Sequence, residues 1–370
     1  MINTANFKNR ARVIAFYLPQ FHPIAENNEW WGSGFTEWHS VTKAKPLYRG
    51  HVQPKIPADL GFYDLRVSET RRAQADLARE AGVEAFCYWH YWFGGEKRLL
   101  EKPFNDVLSS GEPDFPFCLG WANHNWYQKL WDPSGDGDKL LIEQQYLGKD
   151  DYVNHFYKAL LPAFKDERYI TVEGKPLFVI YSLDRKQAIK EIIEIWKQLA
   201  IENGFKGVFF VAVQRNETKK EIKELGFDAM YRLQDYLKTY VRQSYLKKVV
   251  LFAKMKLFNS PRLISYDSLS ENLYTDEDYE EDTIPLIIPN YDHTPRSGSR
   301  GFVITGSTPA KFAKQVKRAC SYLNRKREER KLLFLVSWNE WGEGNYMEPD
   351  SVYGKGYINA LSSVIKDIDK

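Results

Sequence analysis

Two glutamates and two tryptophans lie close together near the end of this 370-residue sequence. Residues 332–350 read LLFLVSWNEWGEGNYMEPD, an apolar run typical of a buried parallel strand that changes abruptly into polar and aromatic residues. Glu340 and Glu343 are three residues apart, so on a continuing strand they would point to opposite faces. Gly342 lies between them and permits a bend that would bring both carboxylates to one side.

Enzymes that cleave or form glycosidic bonds commonly use a pair of carboxyl groups. One handles the proton on the leaving or arriving oxygen, and the other, ionised, assists at the sugar. The neighbouring indoles of Trp338 and Trp341 offer flat apolar faces to a pyranose. We therefore predict that Glu340 and Glu343 are catalytic. The alternative is a strand end whose glutamates pair with arginines and whose tryptophans fill the core.

The composition is typical of a soluble globular enzyme, with 43% hydrophobic and 27% charged residues. The net charge of +3 is too small to indicate nucleic-acid binding. Cys87, Cys118 and Cys320 are far apart and lie in apolar contexts, which predicts reduced core thiols rather than a disulfide frame or a zinc site. The sequence shows no ordered metal-ligand spacing, and we expect no metal and no cofactor.

The N-terminal segment MINTANFKNRARVIAFYLPQF has a basic patch and then only a short apolar run, which is not the pattern of a secretory signal. No apolar stretch approaches the ~20 residues that span a bilayer. We therefore expect a cytoplasmic protein. Residues 240–260 combine lysines with apolar residues, and two interpretations stay open. The segment either rests on the inner face of a membrane as a basic helix or packs on the domain as an insertion, which we favour.

Apolar runs alternate with helix-like segments along the whole chain. The predicted strands are residues 13–17, 84–92, 117–122, 176–181, 207–213, 227–231, 284–289 and the run that begins at 332. Helices are predicted over 68–81 and 184–202, with helix starts at Thr218, which forms a capping box with Glu221, and at Thr308, which precedes Pro309. A doubly wound open sheet is the main competing fold, but no glycine-rich phosphate fingerprint follows the first strand.

This alternation predicts an α/β fold, namely a single (β/α)8 TIM-type barrel over residues 1–370. Long βα loops and a less regular insertion at about 238–283, after strand six, complete the prediction. Active sites of such barrels lie at the C-terminal ends of the strands. The expected substrate-binding residues there are Tyr17, His22, Trp38, His90, Tyr91, Trp121, Asn123, Trp126, Asn339 and Trp341.

Several of these residues have a second interpretation. His22 and His90 either assist at the site or satisfy a loop carbonyl. Glu37, in GFTEW, either folds over the pocket or forms a stabilising salt bridge. Arg296 and Arg300 follow strand seven, where barrels often hold phosphate, and guanidinium forks match phosphate oxygens. They either bind the diphosphate of a sugar donor or stabilise their loop.

Six blocks of the sequence carry a likeness to a known family. They are FYLPQFHPIAENNEWWGSGFTEWHSVTKAKPLYRGHVQP, LGFYDL, FCYWHYWF, FCLGWANHNW, GSTPAKF and SWNEWGEGNYMEP. Together they resemble the WbsX-type proteins, which are similar to glycoside hydrolase family 99. The likeness spans the chain from about Val13 to Tyr357. His124 departs from it, because the family pattern ANENW has an acidic residue at that position.

The resemblance implies a barrel that acts on glycans without a metal. It implies that Glu340 draws the proton from the sugar's 2-hydroxyl, which then attacks its own anomeric carbon, and that Glu343 protonates the departing oxygen. The anomeric configuration of the sugar would then be retained overall.

WbsX-type proteins are associated with bacterial surface-polysaccharide synthesis and described as glycosyltransferases. We therefore expect a retaining glycosyltransferase of O-antigen or capsule biosynthesis, with a glycan acceptor and a nucleotide-sugar donor as partners. An endo-α-mannosidase-type hydrolase and a non-catalytic glycan-binding barrel are the alternatives.

Overall fold

The computed structural model describes residues 11–128, 139–233 and 260–368. Eight parallel strands form its centre, in the hydrogen-bonded order β6-β5-β4-β3-β2-β1-β8-β7. They are β1 (Arg12–Tyr17), β2 (Ala85–Trp92), β3 (Phe117–Trp121), β4 (Lys175–Ile180), β5 (Phe209–Gln214), β6 (Ala229–Arg232), β7 (Leu286–Ile287) and β8 (Leu332–Leu335). All eight predicted strands are confirmed.

The two edge strands of this order, β6 and β7, come together at Met230. Its N–H donates to the carbonyl of Asp282 at 2.8 Å, and its own carbonyl accepts from the N–H of Ile284 at 2.8 Å. These bonds nearly close the sheet into a barrel, which confirms the predicted (β/α)8 fold and excludes the open doubly wound sheet.

Helices connect the strands and cover the outside of the barrel. They are α1 (Ser68–Ala81), α2 (Lys102–Ser110), α3 (Lys149–His155), α4 (Lys186–Glu202), α5 (Lys219–Glu224), α6 (Tyr266–Asn272), α7 (Pro309–Ser321) and α8 (Gly356–Ile368). A π-helical turn, Phe156–Leu160, extends α3 to Leu161–Phe164. The predicted helix starts are confirmed: Thr218 and Glu221 form a capping box, and Thr308 accepts from the N–H of Lys311.

The loops at the C-terminal ends of the strands carry their own short elements. The loop after β1 holds the helices Ala25–Trp31 and Trp38–Lys43, and the loop after β7 holds Thr294–Ser297. A small sheet joins strands Arg262–Ser265, Phe302–Thr305 and Tyr291–Asp292. Short antiparallel pairs are formed by Arg98–Leu99 with β2, Thr171–Val172 with β4, Trp126–Tyr127 with Leu140–Ile142, and Asn339–Glu340 with Asn345–Tyr346.

Only part of the predicted insertion can be compared with the structure. Its described portion, from residue 260 onwards, contains the strand Arg262–Ser265 and helix α6. The basic segment predicted at 240–260 lies outside the described residues, except for Ser260. Among the helices that the structure does describe, none combines the length and apolarity needed to cross a bilayer.

Aromatic side chains fill the inside of the barrel. The ring of Phe16, from β1, lies 5.4 Å from that of Tyr231 and 5.2 Å from that of Phe334. The strands are buried on both faces, as expected for a parallel sheet covered by helices. Cys87, Cys118 and Cys320 are buried and free, so the predicted core thiols are confirmed.

Candidate active site

A cavity of about 740 Å³ opens at the C-terminal ends of the barrel strands. Its wall includes both Glu340 and Glu343, whose side chains are 17% and 20% exposed. Aromatic residues make up much of the remainder. They are Phe16, Trp31, Trp89, Tyr91, Trp126, Tyr127, Tyr146, Tyr181, Tyr231 and Tyr291. The cavity therefore combines two carboxyl groups with flat apolar faces, which suits a polyhydroxylated ring.

The chain turns sharply between the two glutamates. Asn339–Glu340 pairs antiparallel with Asn345–Tyr346, and the connection is a single 3₁₀ turn, Trp341–Glu343. Gly344, which ends this turn, has a φ of +52° in the left-handed region that favours glycine. The predicted bend is thus present, but the residue with the special backbone conformation is Gly344 and not Gly342.

Gly342 is required for a different reason. A Cβ atom built on this residue would lie 1.7 Å from the Oε1 of Glu37 and 3.0 Å from the Nε of Arg296. The fully buried Glu37 carboxylate, from the loop after β1, therefore occupies the space where a side chain would stand. This contact joins the GFTEW block to the NEWGEG block, which are about 300 residues apart in sequence.

Arg296 links the carboxylates of the site. Its Nε and Nη2 donate to Glu37 Oε1 at 3.0 and 2.7 Å, and its Nη1 donates to Glu343 Oε1. The same Nη1 lies 3.9 Å from Glu340 Oε1. Arg296 was predicted either to bind phosphate or to stabilise its loop, and the structure gives it carboxylate partners. Three carboxyl groups around one guanidinium favour retention of a proton on one of them.

The two catalytic candidates differ in pKa because their surroundings differ. Burial and the nearby charge of Glu343 raise the pKa of Glu340 well above its usual range. Burial acts in the same direction on Glu343, but the Arg296 guanidinium and hydrogen bonds from His293 and Tyr291 lower the pKa of Glu343 to about 2. The surroundings therefore favour the protonated form of Glu340 and the ionised form of Glu343.

A buried network beneath the cavity fixes the turn that carries the glutamates. Glu348 Oε2 accepts from the Nε1 of Trp341 at 2.6 Å and from the hydroxyl of Tyr63 at 2.9 Å. Its Oε1 accepts from Gln74 at 2.6 Å, and Gln74 in turn accepts from Tyr17 at 2.7 Å. Burial raises the pKa of Glu348 to about 7, although these hydrogen bonds oppose the rise.

Four of the predicted substrate-binding residues lie outside the cavity wall. Tyr17 and Trp341 belong to the Glu348 network. Asn339 clamps the end of β1, because its amide bonds the N–H and the carbonyl of Leu18 at 2.8 and 3.0 Å. The Nε1 of Trp38 donates to the Tyr63 carbonyl at 2.8 Å. Each of these side chains is buried and has a partner within the protein.

His90, Trp121 and His22 also lie outside the wall of this cavity. His90 is buried, with its Nε2 2.7 Å from the Nε2 of His155, and Trp121 donates to the carbonyl of Trp92 at 2.9 Å. The Nδ1 of His22 lies 3.1 Å from the Pro19 carbonyl, which is the contact that the loop-carbonyl interpretation expects.

Of the remaining predicted residues, three line the cavity and Arg300 does not. Tyr91, Asn123 and Trp126 line the cavity, and Asn123 is held by Ser182 and by the hydroxyl of Tyr146. Arg300 is exposed and does not line the cavity, so the structure gives no support to the prediction that it binds phosphate there.

Residues that the sequence did not single out complete the site. Trp89 stacks on Phe16 with ring centroids 4.8 Å apart, and both face the cavity. Strand alternation was the available signal, because Trp89 and Tyr91 are two residues apart and must share a face, whereas His90 must point the other way. His124, where the family pattern has an acidic residue, lines the cavity as well. Burial and the charge of Arg215 lower the pKa of His124 to about 4, so its ring is neutral.

Comparisons with known proteins agree with this architecture. The chain is 33% identical over 362 residues to the uncharacterized protein WxcX of Xanthomonas campestris pv. campestris, covering 96% of this chain and 50% of that one. The chain thus spans about half the length of the curated relatives it matches.

Two solved structures share the fold. One is a GH99 endo-alpha-mannosidase from Bacteroides thetaiotaomicron, with a TM-score of 0.57, 13% identity and 98% coverage of both chains. The other is a glycoside hydrolase-like protein, with a TM-score of 0.57, 15% identity and coverage of 99% of this chain and 96% of that one.

The family whose model matches is described as glycosyltransferase WbsX, and the match runs over residues 13–361. It covers all eight strands, the cavity wall and the turn that carries both glutamates. This is a family of carbohydrate-active enzymes. The chain belongs to the WbsX glycosyltransferase family.

Proposed function

We propose that this chain is a retaining glycosyltransferase of bacterial surface-polysaccharide biosynthesis, and that Glu340 and Glu343 perform the transfer. The observation that carries the proposal is the pair itself: two carboxyl groups in the wall of one cavity, whose surroundings shift their pKa values in opposite directions. Glycosyl transfer needs this combination, since one group must give a proton and the other must accept one. The aromatic wall supplies faces on which a sugar ring can stack.

The directions of these two pKa shifts are the reverse of those that the roles implied by the family resemblance need. Those roles need an ionised Glu340 to draw a proton from the 2-hydroxyl and a protonated Glu343 to serve the departing oxygen. Arg296 is the group that can exchange the two states, because its Nη1 contacts Glu343 and lies only 3.9 Å from Glu340. We propose that sugar binding shifts Arg296 towards Glu340 and leaves the proton on Glu343.

A leaving-group experiment tests these roles. The variants are Glu340→Gln and Glu343→Gln, with Glu143→Gln as the matched control, because Glu143 is another carboxylate in the wall of the same cavity. Turnover is measured with a natural-type donor and with a nitrophenyl glycoside, whose leaving group departs without a proton.

The proposed roles predict distinct patterns for the three variants. We expect Glu343→Gln to lose about 10²–10⁴-fold on the natural-type donor and to recover on the nitrophenyl donor, since proton transfer contributes about that much. Glu340→Gln should fail on both donors, and Glu143→Gln should retain activity. The opposite pattern for the two catalytic candidates would reverse their roles. Unchanged turnover in both would refute catalysis by the pair and favour a glycan-binding barrel.

A second candidate, a glycoside hydrolase of the endo-mannosidase type, is favoured by the charges of the cavity. Among the described residues of its wall, the arginines are Arg185 and Arg296, and Arg296 already contacts carboxylates. The acidic residues of the wall are Glu143, Asp184, Glu340 and Glu343. This balance suits an uncharged glycoside donor better than a diphosphate.

Product analysis separates the two candidates. The chain is incubated with a panel of nucleotide sugars and, separately, with mannose-containing oligosaccharides. Transfer of a glycosyl group from a nucleotide sugar to an acceptor, with retained anomeric configuration, would support the transferase. Shortening of oligosaccharides without consumption of any nucleotide sugar would support the hydrolase.

A further inference from the structure

A second cavity, of about 350 Å³, lies between the loop after β1 and the loop that leads from β2 into α2. Its wall is rich in ionisable side chains, which are His22, Glu26, Arg66, Arg98, Glu101 and Lys102. It is distinct from the active-site cavity, since the two share no lining residue.

A thin apolar layer separates the two cavities. Ile24, Leu99 and Leu100 from the second cavity pack in one cluster with Tyr91 and Trp126, which line the first. Both cavities therefore border the same apolar cluster.

Arg98, in the wall of this cavity, has an incomplete set of hydrogen-bond and ion-pair partners. Its Nη2 donates to Asn105 at 3.1 Å, but its Nε is buried without a hydrogen-bond partner. Among the described residues no carboxylate lies within 4 Å of its guanidinium. Glu101, a neighbour in the wall, acts on it only at longer range, and burial lowers the pKa of Arg98. Arg98 as a whole is half-buried, and its guanidinium combines an accessible edge with a buried Nε that has no partner, so the arrangement suits an anion supplied from outside.

Two buried arginines of this chain each have a carboxylate partner that accepts from two of their nitrogens, which Arg98 lacks. Arg168 donates from Nε and Nη2 to Asp166, and Arg296 does the same to Glu37. The backbone beside Arg98 is also unusual, because Glu96 and Leu100 have φ values of +63° and +59°. Left-handed conformations at residues other than glycine are strained, and such strain is concentrated at ligand sites.

His22 supplies a second unpartnered atom in the same wall. Its Nδ1 lies 3.1 Å from the Pro19 carbonyl and must donate to it, so its Nε2 carries a lone pair in the neutral ring. Burial lowers the pKa of His22, which keeps the ring neutral at pH 7. This Nε2 is buried without a partner, so it is an acceptor that lacks a donor.

We propose that this second cavity binds an anionic group carried on a polyhydroxylated ligand. The anionic oxygens pair with the guanidinium of Arg98, and a hydroxyl of the same ligand donates to the Nε2 of His22. Lys102 and Arg66 also lie in the wall, but each already pairs with an aspartate, so Arg98 is the cation that the proposal uses. An acidic sugar unit has this chemistry, whether its charge is the carboxylate of a uronic acid or the phosphate of a sugar phosphate. The proposal does not depend on the catalytic roles proposed for the first cavity.

Calorimetric titration of the full chain with three probes tests the proposal. The probes are glucuronate, glucose 6-phosphate and neutral glucose, and the variants are Arg98→Gln and His22→Phe. Arg72→Gln is the matched control, because this arginine lies on the exposed face of α1 and outside the cavity. Glu340→Gln is included to separate the two sites.

We expect at least one charged probe to bind the native chain at least tenfold more tightly than glucose. Arg98→Gln should weaken that probe at least tenfold and His22→Phe severalfold, whereas Arg72→Gln should leave its affinity unchanged. Binding that is weakened only in Glu340→Gln would belong to the first cavity and would count against the proposal. Binding of only one charged probe identifies the source of the anion and supports the site. Equal affinity of glucose and both charged probes, or an unchanged affinity in Arg98→Gln, would overturn it.

A crystal of the native chain soaked with glucuronate or glucose 6-phosphate gives a measurement that needs no variant. The proposal expects an anionic oxygen within hydrogen-bond distance of Arg98. A probe found only in the first cavity would refute it, as would a probe found in neither.

Discussion

Replacement of Gly342 by alanine is the most direct test of how the site is assembled. The new methyl group would lie 1.7 Å from Oε1 and 2.7 Å from Cδ of Glu37, so the buried carboxylate must leave its position. Its departure breaks the contacts from Nε and Nη2 of Arg296. Removal of one partner from a buried ion pair costs about 3–5 kcal/mol. That is a large part of the ~5–15 kcal/mol by which a typical domain is stable.

The assay is thermal and urea unfolding of Gly342→Ala beside Gly34→Ala. Gly34 has a φ of +79°, and a methyl group on its Cα would meet no atom within 4 Å, so its replacement costs only the backbone term of about 1–2 kcal/mol. Gly342 has no such backbone term, and its cost arises from the contact alone. We expect Gly342→Ala to lower the melting temperature by roughly 4–6 °C, about two to three times the effect at Gly34.

A double variant identifies the cause. In Glu37→Ala the space beside residue 342 is empty, so adding Gly342→Ala should cost little more. The summed losses of unfolding free energy in the two single variants should therefore exceed the loss in the double variant by about 3 kcal/mol, because both single changes break the same ion pair. If the losses of unfolding free energy in the two single variants add up to that of the double variant within about 0.5 kcal/mol, the proposed contact between residue 342 and Glu37 is refuted. A Gly342→Ala chain as stable as the native one would refute it too.

Two further predictions concern the buried polar groups. Burial raises the pKa of Glu348 to about 7 in the folded chain, against 4.5 for an ordinary glutamate. Between these two pH values the folded chain binds more protons than the unfolded chain. The contribution of Glu348 to stability therefore falls as the pH rises through this range. Relative to the native chain, Glu348→Gln should therefore gain about 3 kcal/mol of unfolding free energy between pH 4 and pH 8, measured in urea, and a constant difference would contradict the shift. Asn339→Ala leaves the N–H and carbonyl of Leu18 without partners and should cost on the order of 1–3 kcal/mol for each in the same assay; a loss below about 0.5 kcal/mol would show that the clamp is not structural.

The fold could be predicted because its signals are local. Each strand is an apolar run, and helix starts such as Thr218 and Thr308 carry their own caps. The side chains that face the cavity were harder to predict, since both faces of a parallel barrel strand are apolar. Tyr17, His90 and Trp121 lie at strand ends but point away from the cavity, whereas Phe16 and Trp89 point into it. The polarity of a side chain therefore does not predict whether it faces the cavity.

The site also depends on contacts between distant segments. The two blocks that share the pair Glu-Trp, GFTEW and NEWGEG, look alike in sequence, and the structure shows that they pack on each other. Glu37 and Glu343 contact the same guanidinium, and the rings of Trp38 and Trp341 lie 5.6 Å apart. Both indoles also engage Tyr63, Trp38 through its carbonyl and Trp341 through Glu348.

Under the proposed function, one block contributes charge and the other chemistry. Glu37 is 0% exposed and holds Arg296 by two hydrogen bonds. Arg296 is then held against Glu343 and close to Glu340, which lowers the pKa of Glu343 and opposes the rise in the pKa of Glu340. A change at Glu37 should therefore alter the pH dependence of turnover without altering any surface that a substrate touches.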